Sequence, residues 1–194
     1  MSREENVFVV DDDQAMRNSL KWLIESVGLR VKTFDSADAF LAACYPGLAG
    51  CLLLDVRMPG MSGLELQSHL KRQEFRMPVI IITGHGDVAM AVQAMKDGAV
   101  DFIEKPFNDE ALLGSIRKAL DYDKERRGVN ALKAEVAARL AELTPREHEV
   151  MMMVTDGKSN KEIAAALGVS TKTIEAHRAR VMEKMEAESL ADLV

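Results

Sequence analysis

Five short apolar runs, each followed by a stretch with helical spacing, fill roughly the first 120 residues and leave few ways for this part of the chain to fold. Asn6 to Val10, Arg30 to Phe34, Cys51 to Asp55, Val79 to Thr83 and Val100 to Glu104 read as strands. Near-continuous apolar runs such as CLLL and VIII suit strands covered on both faces. Strands alternating with helices then predict an α/β doubly wound, five-stranded parallel sheet. Gly28 and Gly98 stand where helices end, and Ser36 and Ser62 where helices begin.

The pattern changes twice. Asp121 to Glu142 holds ten charged residues in twenty-two, with Val129, Leu132, Val136, Leu140 and Leu143 at spacings of three and four. That is one helical stripe, read as a solvated helix continuing the last helix of the α/β part, with Gly128 as its weak point. A dimerising coiled coil of so few turns is marginal alone. From Leu143 everything reads helical: Thr144-Pro145-Arg146-Glu147 and Ser159-Asn160-Lys161-Glu162 are capping boxes. NKEIAAAL, the turn Gly168-Val169-Ser170 and a longer helix from about Thr171 to Met185 form a helix-turn-helix, an all-α domain. The expected division is 1–121, a helical linker at 122–142, and 143–194.

Composition narrows the function. An apolar content of 47% excludes a disordered tail protein. The formal charge of −6 argues against coating nucleic acid through bulk positive charge. No stretch reaches the roughly 18 to 20 apolar residues that span a bilayer, and MSREENVFVV lacks the basic start of a secretion signal, so a cytoplasmic location is expected, with no membrane partner. Cys44 and Cys51 lack CxxC spacing and read as small buried thiols.

In an open parallel sheet, chemistry gathers at the carboxyl ends of the strands. Asp11, Asp12 and Asp13 follow FVV, Asp55 follows CLLL, Thr83 ends the fourth strand and Lys105 follows the fifth. Converging carboxylates repel unless a cation joins them, and an all-oxygen donor set suits Mg²⁺, with Mn²⁺ able to substitute. A lone Asp with a hydroxyl and a lysine at neighbouring strand ends suggests phosphoryl acceptance, with Asp55 as nucleophile. Asp13 serves equally well as a helix cap. A dinucleotide site is disfavoured because VVDDDQAM has no glycine for a phosphate-binding turn. A metal-dependent phosphohydrolase would need an acid two residues after Asp55, where Arg57 stands.

FVVDDD, LLLDVRMPGMSG, ITGHGD and DFIEKPF resemble, in order and spacing, the four signature segments of bacterial response-regulator receiver domains, whose fold is flavodoxin-like. The resemblance implies phosphorylation at Asp55. It further implies a metal site of Asp11, Asp12, Asp55 and the Arg57 carbonyl, with Thr83, Lys105 and Phe102 as phosphate-binding and switch residues, and a cis Lys105-Pro106 bond. LTPREHEV with GKSNKEIAAALGVSTKTIEAHRARVMEKM is similar to the LuxR-type helix-turn-helix, and the whole chain looks like the FixJ-like subfamily of two-component response regulators. That subfamily usually carries its final helix past the point where this sequence stops, at Val194. The expected function is a transcription activator that takes a phosphoryl group from a sensor histidine kinase, forms a homodimer, binds promoter DNA and acts on RNA polymerase. It catalyses no reaction beyond its own phosphorylation and dephosphorylation. The switch would draw Thr83 inward and move the loop Gly84-His85-Gly86 with the following helix; by resemblance the moved face, including Met90, Val92 and Phe102, then forms a receiver dimer and frees the helix-turn-helix.

Residues 143–194 hold seven basic and nine acidic side chains, yet Lys172, Arg178, Arg180 and Lys184 outnumber Glu175 and Glu183 between 170 and 185. This segment is expected to enter the major groove. By resemblance Glu175, Ala176 and Ala179 face bases, Glu175 accepting from a cytosine amine and Ala176 touching a thymine methyl. Lys161, Lys172, Arg178 and Arg180 are phosphate candidates, Thr173 lies beside them, and His177 packs locally more readily than it reads bases. A regulator that acts on proteins without touching DNA is the rival, separated by a gel-shift test.

Overall fold

The structure, a computed structural model, describes residues 6–45, 47–84 and 86–193, so His85 of the predicted switch loop and the terminal Val194 lie outside the described residues. The chain forms two compact units, Met1–Arg127 and Gly128–Val194.

The first unit is built from β1 (Asn6–Val10), α1 (Gln14–Ser26), β2 (Arg30–Phe34), α2 (Ala37–Ala43), β3 (Gly50–Asp55), α3 (Gly63–Arg72), β4 (Val79–Thr83), α4 (Val88–Lys96), β5 (Asp101–Glu104) and the start of α5 (Asp109–Ala141). The sheet order is β2-β1-β3-β4-β5, all parallel, so the strand order reverses between β1 and β3. Residue alternation explains its two covered faces. Phe8, Val10, Leu52, Leu54, Val79 and Ile81 pack with Phe40 of α2, Leu66 and Leu70 of α3 and Ala94 of α4. Val7, Val9, Cys51, Leu53, Ile80 and Ile82 pack with Leu20 and Ile24 of α1 and Leu112 and Ile116 of α5. Truncating one such buried Leu or Ile to Ala costs about 2–5 kcal/mol. Capping drives the helix starts: Asp13 accepts from the Ala15 and Met16 amides, Ser36 from Ala39, and Ser62 forms a reciprocal box with Glu65. Cys51 is buried as expected, but Cys44, at the C-terminal cap of α2, is only half-buried although it packs against the core.

One feature of this unit contradicts the picture of a solvated segment beginning at residue 122. Asp123 is completely buried. Its Oδ2 accepts from the Gly50 amide at 3.1 Å, Arg126 Nη2 donates to Oδ1 at 2.6 Å and Arg127 Nε to Oδ2 at 2.6 Å. The α5 turn around Asp123 is thereby tied to the first residue of β3.

The second unit holds the rest of α5 with α6 (Pro145–Thr155), α7 (Asn160–Leu167), α8 (Thr171–Met185) and a short 3-10 turn at Leu190–Leu193. Thr144 with Glu147 and Ser159 with Glu162 form the capping boxes, and Ser170 caps α8. Val150, Val154, Ile163, Ala164 and Ile174 make the core. Lys184 of α8 donates to Glu147 at 2.7 Å and to the Glu142 carbonyl at 3.0 Å, clamping the end of α8 to the start of α6. Lys184's hydrogen bond, helped by the Thr144 amide, lowers the Glu147 carboxyl to a pKa of about 2.

Candidate functional site

The parallel register sets the first site. Val10 pairs with Leu54, and Asp55 with Ile82, so the residues beyond β1, β3 and β4 emerge at one edge. Asp11 and Asp55 are both buried there, and Thr83 is fully buried. Lys105 Nζ reaches between the two carboxylates, 2.8 Å from Asp11 Oδ2 and 2.7 Å from Asp55 Oδ1. The Lys105 amide donates to the Thr83 carbonyl at 2.8 Å, which fixes where the side chain starts, and the Lys105-Pro106 bond is cis. The Arg57 amide donates to Asp55 Oδ2 at 2.7 Å, and the Asp13 amide to Asp11 Oδ1 at 2.8 Å. Arg17 of α1 donates to the Asp11 carbonyl at 2.7 Å, a contact the sequence reading missed.

Electrostatics at this edge are finely divided. Burial raises the Asp55 pKa, and the negative charge of Asp11 adds to it; the Lys105 hydrogen bond and charge and the Arg57 amide pull the other way without cancelling the rise. For Lys105 burial acts to lower the pKa, but its bonds to Asp11 and Asp55 prevail and raise it. One ammonium is thus shared by two carboxylates, and the site is left short of positive charge.

Of the predicted acidic cluster, Asp11 and Asp55 come together, but Asp12 is exposed and has no hydrogen-bond or ion-pair partner among the described residues. Asp13 caps α1 instead. Among the described residues no three His, Cys, Asp or Glu side chains converge closely enough to enclose a metal by themselves.

Two glycines are dictated by close approach. A Cβ on Gly63 would lie 2.1 Å from the Asp55 carbonyl oxygen, so the start of α3 rests on the backbone of the candidate nucleophile. A Cβ on Gly86 would lie 2.9 Å from Phe102 Cε1 and 3.2 Å from Thr83 Cγ2. The loop after β4 therefore touches both Thr83 and the half-buried Phe102.

In the second unit, α8 presents Lys172, Thr173, Glu175, Ala176, Ala179 and Arg180 as exposed residues, and Lys161 of α7 is exposed too. Thr173 shares a 2.9 Å hydrogen bond with the Ser170 hydroxyl. Arg178 differs from the expectation of a free phosphate contact: it is half-buried and donates to Asn160 Oδ1 at 2.9 Å. Helical geometry explains this, since position 178 lies four after buried Ile174 and three before buried Val181, on the inward face. His177 is half-buried on the same side, its Nδ1 buried without a partner among the described residues.

Comparison with known proteins agrees with both halves. Residues 7–117 match the response regulator receiver domain family, and residues 141–194 match the luxR family of bacterial regulatory proteins. The chain belongs to the response regulators that join a receiver domain to a LuxR-type DNA-binding domain, and it is a two-component transcription regulator. The transcriptional regulatory protein FixJ of Bradyrhizobium diazoefficiens is 49% identical over 195 residues, covering 100% of this chain and 95% of that protein. Nodulation protein W of the same organism is 48% identical over 188 residues, covering 97% and 83%. Among solved structures, response regulator StyR matches with a TM-score of 0.93 at 43% identity over 99% of this chain and 97% of that chain. Full-length FixJ from B. japonicum gives 0.61 at 48% identity over 100% and 95%. A receiver domain implies a histidine kinase partner, and the LuxR-type domain implies DNA binding.

Proposed function

We propose that Asp55 is the phosphoacceptor through which a sensor histidine kinase controls promoter binding by α8. The observation that carries the reading is Lys105 bridging Asp11 and Asp55, at 2.8 and 2.7 Å, at the carboxyl edge of the sheet. An Asp55 oxygen attacks the phosphorus of the donor. The P–N bond to the kinase histidine breaks, its electron pair leaving with the imidazole, and an acyl phosphate forms. Lys105 is placed to follow the new negative charge from carboxylate to phosphoryl oxygens, and the Thr83 hydroxyl to hydrogen-bond one of them.

The donor chemistry fits Mg²⁺ or Mn²⁺. Asp11, Asp12, Asp55 and the Arg57 carbonyl are all hard oxygen donors, and the Arg57 carbonyl accepts no hydrogen bond from the described residues. Mg²⁺ typically uses one or two carboxylates and keeps several waters, so a site without three converged side chains suits it. When bound, the ion supplies positive charge beside the transferring phosphoryl group. Two buried carboxylates, Asp11 and Asp55, held by the single ammonium of Lys105 are the observation that supports this fit.

Downstream, Gly86 and Phe102 contact Thr83's surroundings, so a shift of Thr83 reaches the α4 and β5 surface, where receivers pair into a homodimer. DNA contact is assigned to Lys161, Lys172, Thr173, Glu175, Ala176, Ala179 and Arg180, with His177 and Arg178 supporting the helix from behind, and the bound dimer activates RNA polymerase at the promoter. Among the described residues no helix is long and apolar enough to cross a membrane, in keeping with action in the cytoplasm. Incubation with a small phosphoryl donor and Mg²⁺, read by intact mass, tests the chemistry. One phosphoryl group is expected on the wild type and none on Asp55→Asn; equal labelling of both overturns it.

A further inference from the structure

Arg17 stands in the first turn of α1, and helical side chains lean back toward the N-terminus of their helix. Its guanidinium therefore reaches over the turn between β1 and α1, where Asp11, Asp12 and Asp13 follow one another. An arginine beside acids ordinarily forms its strongest hydrogen bonds with a carboxylate. Half-buried Arg17 makes no ion pair among the described residues, and its Nη1 donates instead to the Asp11 carbonyl at 2.7 Å.

That bond helps to hold the backbone on both sides of Asp12. On one side the Asp11 amide donates to the Phe34 carbonyl at 3.2 Å, and Arg17 holds the oxygen of the Asp11-Asp12 peptide. On the other the Asp13 amide donates to Asp11 Oδ1 at 2.8 Å, and the Asp13 carbonyl accepts from the Arg17 amide at 3.0 Å. A peptide unit is planar, so holding its oxygen restricts its orientation and with it the direction in which Asp12 projects its side chain. The exposed Asp12 carboxylate enters none of these bonds and has no partner among the described residues. A hard oxygen donor left open on a held backbone suits a divalent cation that keeps most of its waters.

We infer that Arg17 is a positioning residue of the phosphorylation site: through the Asp11 carbonyl it sets the direction of Asp12, so that a divalent cation meets a carboxylate already in place. This role rests on Asp12 serving as a cation ligand. The charge of Arg17 works against its hydrogen bond, because a guanidinium near the site repels the cation. The two effects have opposite signs. Removing a nearby positive charge alone tightens cation binding, whereas losing a bond that orients a ligand typically weakens it by about 10- to 100-fold.

Titration of the full chain with Mn²⁺, the free ion followed by electron paramagnetic resonance, tests the assignment in wild type, Arg17→Met and Asp12→Asn. Methionine keeps an apolar stem against α1 and removes the donor. Arg17→Met should bind Mn²⁺ about tenfold more weakly than wild type, the charge effect offsetting part of the loss, and Asp12→Asn should also bind more weakly. In the metal-free protein, the amide chemical shifts of Asp12 and Asp13 should move in Arg17→Met while those of Leu54 and Ile82, in β3 and β4, stay in place. An Arg17→Met variant that binds as tightly as wild type or more tightly, while Asp12→Asn is weakened, overturns the role of Arg17 and leaves the cation site standing. Shift changes spread through β3 and β4 overturn it too, as a general loosening of the fold. Undiminished binding by Asp12→Asn overturns the cation site and this role together.

Discussion

Replacing Asp123 by alanine strips three donors of one buried acceptor at once: the Gly50 amide, Arg126 and Arg127. A buried amide left without an acceptor costs about 1–3 kcal/mol. The two arginine side chains are 20% and 26% exposed, so they recover part of their lost bonding from water. The sum is about 3 kcal/mol, at the lower end of the range of about 3–5 for breaking a buried pair. Asparagine keeps an oxygen for Gly50 and Arg127 but loses the charge and the acceptor that Arg126 uses, which leaves a cost of about 1–2 kcal/mol because Arg126 can turn to water. At about 3 °C per kcal/mol for a unit of this size, the α/β transition should fall by about 10 °C for Asp123→Ala and about 5 °C for Asp123→Asn. Scanning calorimetry of the full chain measures this, and the fluorescence of Trp22, the chain's one tryptophan and a residue of α1, assigns the transition to the first unit. A melting point for the alanine variant within about 2 °C of wild type, or an asparagine variant less stable than the alanine one, refutes the reasoning.

Glu147 should make the second unit sensitive to acid. Its carboxyl is lowered from the ordinary value to about 2, so its stabilisation is present above the unfolded pKa and disappears as pH falls towards about 2. In circular dichroism melts, Glu147→Gln should therefore be less stable than wild type near neutrality, the gap closing with acid. Gly63→Ala forces a Cβ to 2.1 Å from the Asp55 carbonyl oxygen. It should destabilise the first unit in urea by about 3 kcal/mol and abolish phosphorylation although Asp55 is retained. Arg180→Ala should lower the salt slope of DNA affinity by about 1, measured by fluorescence anisotropy across salt concentrations, because an exposed cation releases counterions on binding. Arg178→Ala should instead leave that slope intact and lower the melting point of the second unit, because it breaks the bond to Asn160.

The carboxyl edge of the sheet could be read in advance because parallel strands end on one side, so Asp11, Asp55, Thr83 and Lys105 had to share an edge whatever the loops did. Caps were equally legible, since Ser62 with Glu65 and Thr144 with Glu147 form local bonds that need no tertiary partner. Asp123 was hidden for the opposite reason. An acid three and four residues before two arginines reads as a solvated helix pair, and only the approach of Gly50 from β3 makes it a buried anchor. Arg178 shows a subtler limit. Its position lies on the inward stripe with Ile174 and Val181, but a charge reads as outward-facing from sequence, and only the nearby Asn160 of α7 gives it an acceptor. Asp12 turned out free of the carboxylate pair because the backbone after β1 alternates direction, sending Asp11 inward and Asp12 to solvent.

The central claim is that charge arriving at Asp55 is felt by α8. Affinity for a duplex selected by the protein itself from random sequence, measured by anisotropy with and without beryllofluoride and Mg²⁺ while light scattering follows the mass, tests it most directly. The account predicts an increase in affinity of about 5- to 150-fold together with a doubling of mass, and neither change in Asp55→Asn. An unaltered wild-type affinity, or the same gain in Asp55→Asn, would contradict it.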